Sequence, residues 1–321
     1  MKLPAKIQLR KLLLIGFPLL SLGFFIYYAV TNFYGIPSLK WDSVSVGVAF
    51  SSVFLAAFNI WVGGVIWHLL LGDNGVSLPF GKAQVIFSIS QFGKYLPGNV
   101  GQHIGRVGMA KEIGIPISIT FHTIFIEMLW GAGVSAGLAL AALFFLGVEK
   151  ASGFQLQIGP LPLMFLVALL LSMPWLIIGA LNRFFPRWAN RLTGGGTISP
   201  PKLRTALMAA ALFLLCFLTM GLILKLQARW LFGVADGGLL ELTCLFSLAW
   251  LAGYITPGAP GGLGVREAMM VLLLTPVLGG GAAVGLGMTL RVTTTMGDIL
   301  AFALGICGGK FSDKRKKEAG F

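Results

Sequence analysis

Pro97-Gly98-Asn99-Val100-Gly101-Gln102-His103-Ile104-Gly105-Arg106 and Pro257-Gly258-Ala259-Pro260-Gly261-Gly262-Leu263-Gly264-Val265-Arg266 carry Pro, Gly, Gly and Arg at matching offsets, 160 residues apart. Each stretch interrupts an apolar segment, about 82–112 in the first case and 238–276 in the second. Proline removes a backbone donor and clashes with the preceding helical turn, and glycine frees the chain to reverse. Each segment therefore reads as two half-length helices meeting at a break, a re-entrant hairpin. Pro97, Gly98 and Gly101 mark the first break, and Pro257, Gly258, Gly261 and Gly264 the second.

The chain around these breaks is strongly apolar. Of 321 residues, 56% are hydrophobic and 11% charged, with a mean hydropathy of +0.87. A soluble domain has about 25% charged residues, so this chain lacks the charge to cover a water-facing surface. Six apolar runs are long enough to span a bilayer, which takes roughly 20 residues: about 11–35, 44–71, 117–148, 160–182, 203–226 and 282–309. The fold class expected is an all-α polytopic membrane protein, with about six spanning helices and two re-entrant hairpins. The first run follows Lys2, Lys6, Arg10 and Lys11, is long for a signal-peptide core, and reads as a retained span.

The 160-residue shift also carries run 44–71 onto 203–226 and run 117–148 onto 282–309. Each half, 1–150 and 151–321, is then two spans, a hairpin and a span, together making one membrane domain. Three spans is an odd number, so the second half sits inverted relative to the first. Broken helices of inverted repeats meet near the midplane and build substrate sites.

The net charge of +13 comes mostly from basic residues beside the apolar runs. Arg183, Arg187, Arg191, Lys202 and Arg204 fall in one loop, and Lys310, Lys314, Arg315, Lys316 and Lys317 in the C-terminal tail. The positive-inside rule places these and the N-terminus in the cytoplasm. Lys225 and Arg229 flank a 227–237 loop on the expected outer side and fit less well. Nucleic acid is not the expected partner, because no aromatic-basic interleaving accompanies the charge. Cys216, Cys244 and Cys307 read as small hydrophobes inside apolar runs. His68 and His122 read as structural. Without HExxH, CxxC or a carboxylate cluster, neither a metal nor another cofactor is expected. The spacings Gly133–Gly137, Gly281–Gly285 and Gly305–Gly309 suit close helix packing.

Ionisable groups at membrane depth cost about 2.5–3.5 kcal/mol each on insertion scales and usually face a partner or a cavity. Lys94, His103, Arg106, Arg266 and Glu267 surround the breaks, and Glu127, Arg291 and Asp298 lie within spans. A guanidinium presents a planar donor fork suited to phosphate, and a half-helix start also favours an anion. Arg106 and Arg266 are thus phosphate ligands, helped by Lys94, Asn99, Gln102 and His103, or else structural groups paired with Glu112 or Glu267. Glu127, Arg291 and Asp298 form a buried ion network, or couple and gate transport.

Lys94-Tyr95-Leu96-Pro97-Gly98-Asn99-Val100-Gly101 through Arg106, with Pro260-Gly261-Gly262-Leu263-Gly264-Val265-Arg266-Glu267-Ala268, resembles the membrane region of bacterial lysylphosphatidylglycerol synthases. That resemblance implies a flippase-like protein of the bacterial cytoplasmic membrane. It implies as substrate an anionic phospholipid, a polyprenyl-phosphate-linked lipid or a hopanoid. Those synthases carry a soluble aminoacyl-transfer domain after the membrane region, and none follows here before Phe321. The chain is therefore expected to move a lipid, with a separate lipid-modifying enzyme as a partner, and not to be an enzyme. The alternative is a non-transporting scaffold for such an enzyme.

Overall fold

The computed structural model describes residues 37–95, 100–145, 160–193, 197–256 and 260–318, with Gly23, Ile26, Tyr27, Val30 and Thr31. The expected first span, 11–35, lies almost wholly outside the described residues, as do the breaks at Pro97, Gly98, Asn99, Pro257 and Gly258. The described chain is all-helical, without strands. It runs α1 (Ser43–Asp73), α2 (Phe80–Gln91), α3 (Gly101–Glu112), α4 (Ile117–Phe145) and α5 (Pro160–Phe184). It continues with α6 (Pro186–Thr193), α7 (Leu203–Leu231), α8 (Leu239–Ile255), α9 (Val265–Leu278) and α10 (Gly280–Glu318). Short 3-10 turns, Phe92–Tyr95 and Pro260–Gly262, stand at the two breaks.

Four of these helices are long and apolar enough to cross a membrane: Ser43–Asp73, Ile117–Ala141, Leu203–Leu231 and Gly280–Gly309. Their outward faces are apolar as well. Phe50, Phe54 and Phe58 on α1, Leu207 and Leu214 on α7, and Val292, Met296 and Leu304 on α10 are all exposed. A helix that is hydrophobic all round belongs in a large core or in lipid, and here the exposed share identifies lipid.

Helix limits follow local chemistry. Asp42 caps α1 by accepting the Ser45 N–H at 2.7 Å, which holds its carboxyl below the usual carboxylate range. Gly279, at φ +82°, separates α9 from α10 with a backbone shape that a side chain resists. Two boundaries differ from the sequence reading. Helix α7 continues to Leu231, so Arg229 is helical, and α10 continues to Glu318, so the basic tail is helical. A run of Lys and Arg at a helix C-terminus complements its dipole. Cys307 is exposed, whereas Cys244 is buried.

Helices α1 and α7 pack against one another at the centre. Helix α4 lies against α8, and α10 lies against α2. The helices beside each break fold back on each other, α2 against α3 and α8 against α9, and the two 3-10 turns meet. Small residues permit these approaches. A Cβ on Gly297 of α10 would fall 2.7 Å from Ala56 Cβ and 3.0 Å from Ala57 N of α1. Gly305 and Gly309 likewise face Ile89 and Val85 of α2. Nothing comes within 4 Å of a Cβ on Gly137, so that glycine serves no close contact among the described residues. Replacing Gly297 by Leu is expected to lower stability by about 1–3 kcal/mol through overpacking. Gly47→Ala on α1, where the space is open, is expected to be neutral, and thermal unfolding of the two purified variants makes the comparison.

Candidate functional site

The turns beside the two breaks line one cavity of about 290 Å³. Its polar wall holds Lys94, Tyr95, Gln102, His103, Arg266, Arg291, Thr294 and Asp298. Its apolar wall is Phe213, Phe217 and Met220 of α7 with Phe246, Trp250 and Tyr254 of α8. The Trp250 and Tyr254 rings stack at 4.6 Å. The cavity is amphipathic: charges from the residues beside the breaks and from α10 share it with aromatic rings.

Backbone shape places the cations. Gly261, Gly262 and Gly264 have φ values of +56°, +72° and +84°, a region in which L side chains are strained. These turns aim the start of α9 at the cavity. Glu267 folds back so that its Oε2 accepts the Gly264 N–H at 2.7 Å, occupying that helix start with the protein's own carboxylate. Beside the first break, a Cβ on Gly93 would lie 2.5 Å from the Gly101 carbonyl carbon, so only glycine lets the chain close there.

Both tips are tied to α10. Lys94 donates to Asp298 at 2.7 Å, and the Tyr95 hydroxyl donates to the other oxygen of the same carboxylate. Arg291 donates to the Gly261 carbonyl at 3.2 Å and reaches Glu267 Oε1 at 3.5 Å. Arg291 and Asp298, seven residues apart on one helix, do not pair with each other; each holds the residues beside a different break.

Arg266 lies 3.6 Å from Glu267, and its buried Nε has no hydrogen-bond partner. Arg106 is placed differently. It is 0% exposed, pairs with Glu127 at 2.5 Å and sits over the Phe87 ring at 4.2 Å, with Trp67 at 5.5 Å. Its partner is therefore Glu127 and not Glu112. Glu127 lines the cavity, and Arg106 stands behind it. Gln102 Nε2 approaches His103 Nε2 at 3.2 Å. Asn99 lies outside the described residues.

Sequence reasoning missed Tyr95 and Asn59. Tyr95 sits within the quoted motif, but an uncharged residue gave no reason to single it out. Asn59 of α1 is a lining residue of the cavity; its Nδ2 donates to the Cys216 carbonyl at 3.3 Å, and its Oδ1 is buried without a partner. An asparagine in the middle of an apolar span was the available signal. His122 is structural: Asn74 and the Ser199 carbonyl each lie 2.9 Å from its ring nitrogens.

These features define an integral membrane protein with a charged cavity enclosed by a helical bundle. The chain belongs to the family described as the lysylphosphatidylglycerol synthase TM region, which matches residues 12–301. That family is associated with the handling of membrane lipids. No curated protein matches the chain.

Proposed function

We propose that this protein translocates an anionic, phosphate-bearing lipid between the leaflets of the bacterial cytoplasmic membrane, with both termini cytoplasmic. The observation that carries the reading is a charge imbalance. Lys94, Arg106, Arg266 and Arg291 meet only Glu127, Glu267 and Asp298 around the cavity, leaving one cation without a counterion among the described residues. An uncompensated buried charge is strongly unfavourable, and an anionic headgroup supplies the missing partner. The aromatic wall keeps the remaining lining apolar, so the acyl chains stay in lipid.

The transport geometry rests on an inverted repeat. Helices α2 and α3 have 12 residues each, α8 has 17 and α9 has 14. At about 1.5 Å per residue, none of them reaches across a hydrocarbon core of about 30 Å, which suits two re-entrant hairpins. The contacts also exchange between halves: α4, closing the first, packs on α8 of the second, while α10 packs on α2 of the first. A pseudo-twofold axis in the membrane plane produces that pattern. In this scheme Arg266 is the principal phosphate ligand, with Lys94, Gln102, His103 and Arg291 around it. Asp298 and Glu267 gate by holding the tips, and the Arg106–Glu127 pair positions the first hairpin. The chain works without catalysis on the lipid, which a separate enzyme modifies.

Purified protein in liposomes containing tail-labelled phosphatidylglycerol tests this. The outer-leaflet quencher is expected to reach the inner-leaflet label far faster than in empty vesicles. Label that stays protected at the empty-vesicle rate would instead favour a scaffold. Reporter tags are expected to place residues 74–79 and 113–116 on the same membrane face. Tags on opposite faces would remove the re-entrant geometry.

A further inference from the structure

We propose that the end of α5 and the short helix α6 form a docking surface for anionic phospholipid of the adjoining leaflet. Arg183 and Arg187 take the headgroup phosphates, and Phe184, Phe185 and Trp188 enter the upper acyl region. None of these residues lines the cavity between the breaks. The inference therefore goes beyond the translocation reading and does not depend on it.

Neighbouring helix ends fix the level at which this surface stands. The chain leaving α6 returns across the end of α5, where the Asn182 side chain accepts the Ile198 N–H and donates to the Ile198 carbonyl, each at 2.9 Å. The next carbonyl, of Ser199, lies 2.9 Å from a ring nitrogen of His122, near the start of α4. The Lys202 N–H then donates to Asp73, the last residue of α1, at 2.9 Å, and α7 begins at Leu203. Helices α1, α4 and α7 are each long and apolar enough to cross a membrane. The place where all three end together is the boundary between hydrocarbon and water. Helix α6 packs there against α4 and α5. Pro186 opens it, and Ala189 is its buried contact, in one cluster with Ile178 and Ile198.

The outer side of this segment combines cations with large apolar groups. Phe184, Phe185 and Trp188 are 73%, 57% and 63% exposed. Arg183 and Arg187 are exposed too, and neither has an ion pair among the described residues. Arg191 follows one turn beyond Arg187 in the same helix. No Asp or Glu occurs anywhere in 160–204. Asp73, which the returning chain brings to this end, already accepts the Lys202 N–H and the Thr205 hydroxyl. Trp and Phe beside Arg at a bilayer boundary sink their rings below the headgroups while the guanidiniums stay at phosphate level. Eight residues bury too little to hold a free helix on a membrane, but here the bundle holds it in place. Charge complementarity names the occupant. A zwitterionic lipid brings its own ammonium to a surface that is already cationic, whereas an anionic phospholipid neutralises it.

The test reads Trp188 in the full-length purified protein, reconstituted in phosphatidylcholine vesicles. Its emission is isolated from that of the eight tryptophans by subtracting the Trp188→Phe spectrum. A minor fraction of the lipid is replaced by phosphatidylglycerol or by phosphatidylcholine with the same brominated acyl chains. Brominated phosphatidylglycerol is expected to quench Trp188 at least about twofold more strongly than brominated phosphatidylcholine at equal mole fraction. The double variant Arg183→Gln/Arg187→Gln is expected to make the two lipids equal. Salt at about 1 M, which shortens the screening length to about 3 Å, is expected to do the same in the parent protein, so the result does not hang on a variant that folds. Equal quenching by both lipids in the parent at low salt overturns the proposal. Absence of quenching by either lipid also overturns it, since Trp188 then faces water or another protein. A phosphatidylglycerol preference that survives in the double variant removes Arg183 and Arg187 from the surface.

Discussion

Arg266→Gln is expected to reduce lipid translocation about 10–100-fold while leaving the thermal unfolding midpoint close to that of the parent. The magnitude follows from losing a charge-assisted hydrogen bond, about 1.5–3 kcal/mol, at about 1.4 kcal/mol per tenfold. The fold survives because Glu267 is not orphaned. Its Oε2 still accepts the Gly264 N–H, and Arg291 still faces its Oε1. Arg266→Lys is expected to fall between the two, since it keeps the charge and loses the planar fork. Unchanged translocation by Arg266→Gln, measured in the same liposomes, would remove Arg266 from the headgroup site.

Arg106 gives the opposite pattern. Arg106→Met is expected to destabilise the protein by about 3–5 kcal/mol, because it leaves the Glu127 carboxylate without its buried counterion. It also strips the cation from the Phe87 and Trp67 faces. The double variant Arg106→Met/Glu127→Leu is expected to recover most of that stability, since replacing a buried pair with apolar groups is often neutral or favourable. It is also expected to translocate lipid, since Arg106 stands behind the cavity wall. Unfolding and transport measurements on both variants make the comparison. A stable double variant that no longer moves lipid would assign the pair a direct transport role. The two arginines thus stand at matching offsets of the two Pro-Gly stretches and differ in environment.

How much of this was legible in the sequence can be argued from these residues. Hydropathy located α1, α4 and α7 to within a few residues because helices facing lipid must be apolar over a fixed length. The helical ends at Tyr95 and Ile255 were legible from the Pro-Gly stretches that follow them, because Pro and Gly act locally on the backbone. The conjunction of Lys94, Arg266, Arg291 and Asp298 at one cavity was partly legible, since all four are charges in apolar surroundings. Pairing was not. Sequence spacing suggested Arg291 with Asp298, yet Lys94 lies 204 positions from Asp298 and is its actual partner. Arg106 could not be told from Arg266 by motif, because their difference lies in Glu127, Phe87 and Trp67, which come from other helices. The long last helix was underestimated because a basic tail resembles a solvated coil when composition alone is read.

The turns beside both breaks are fastened to a single continuous rod, one through Gly261 and Glu267 to Arg291, the other through Lys94 and Tyr95 to Asp298. Seven residues, about two turns, separate the fastening points. A tilt of that rod acts on both tips at once, so they cannot part independently. Under the proposed translocation, mechanical interlocking of this kind would keep the cavity from opening to both faces together.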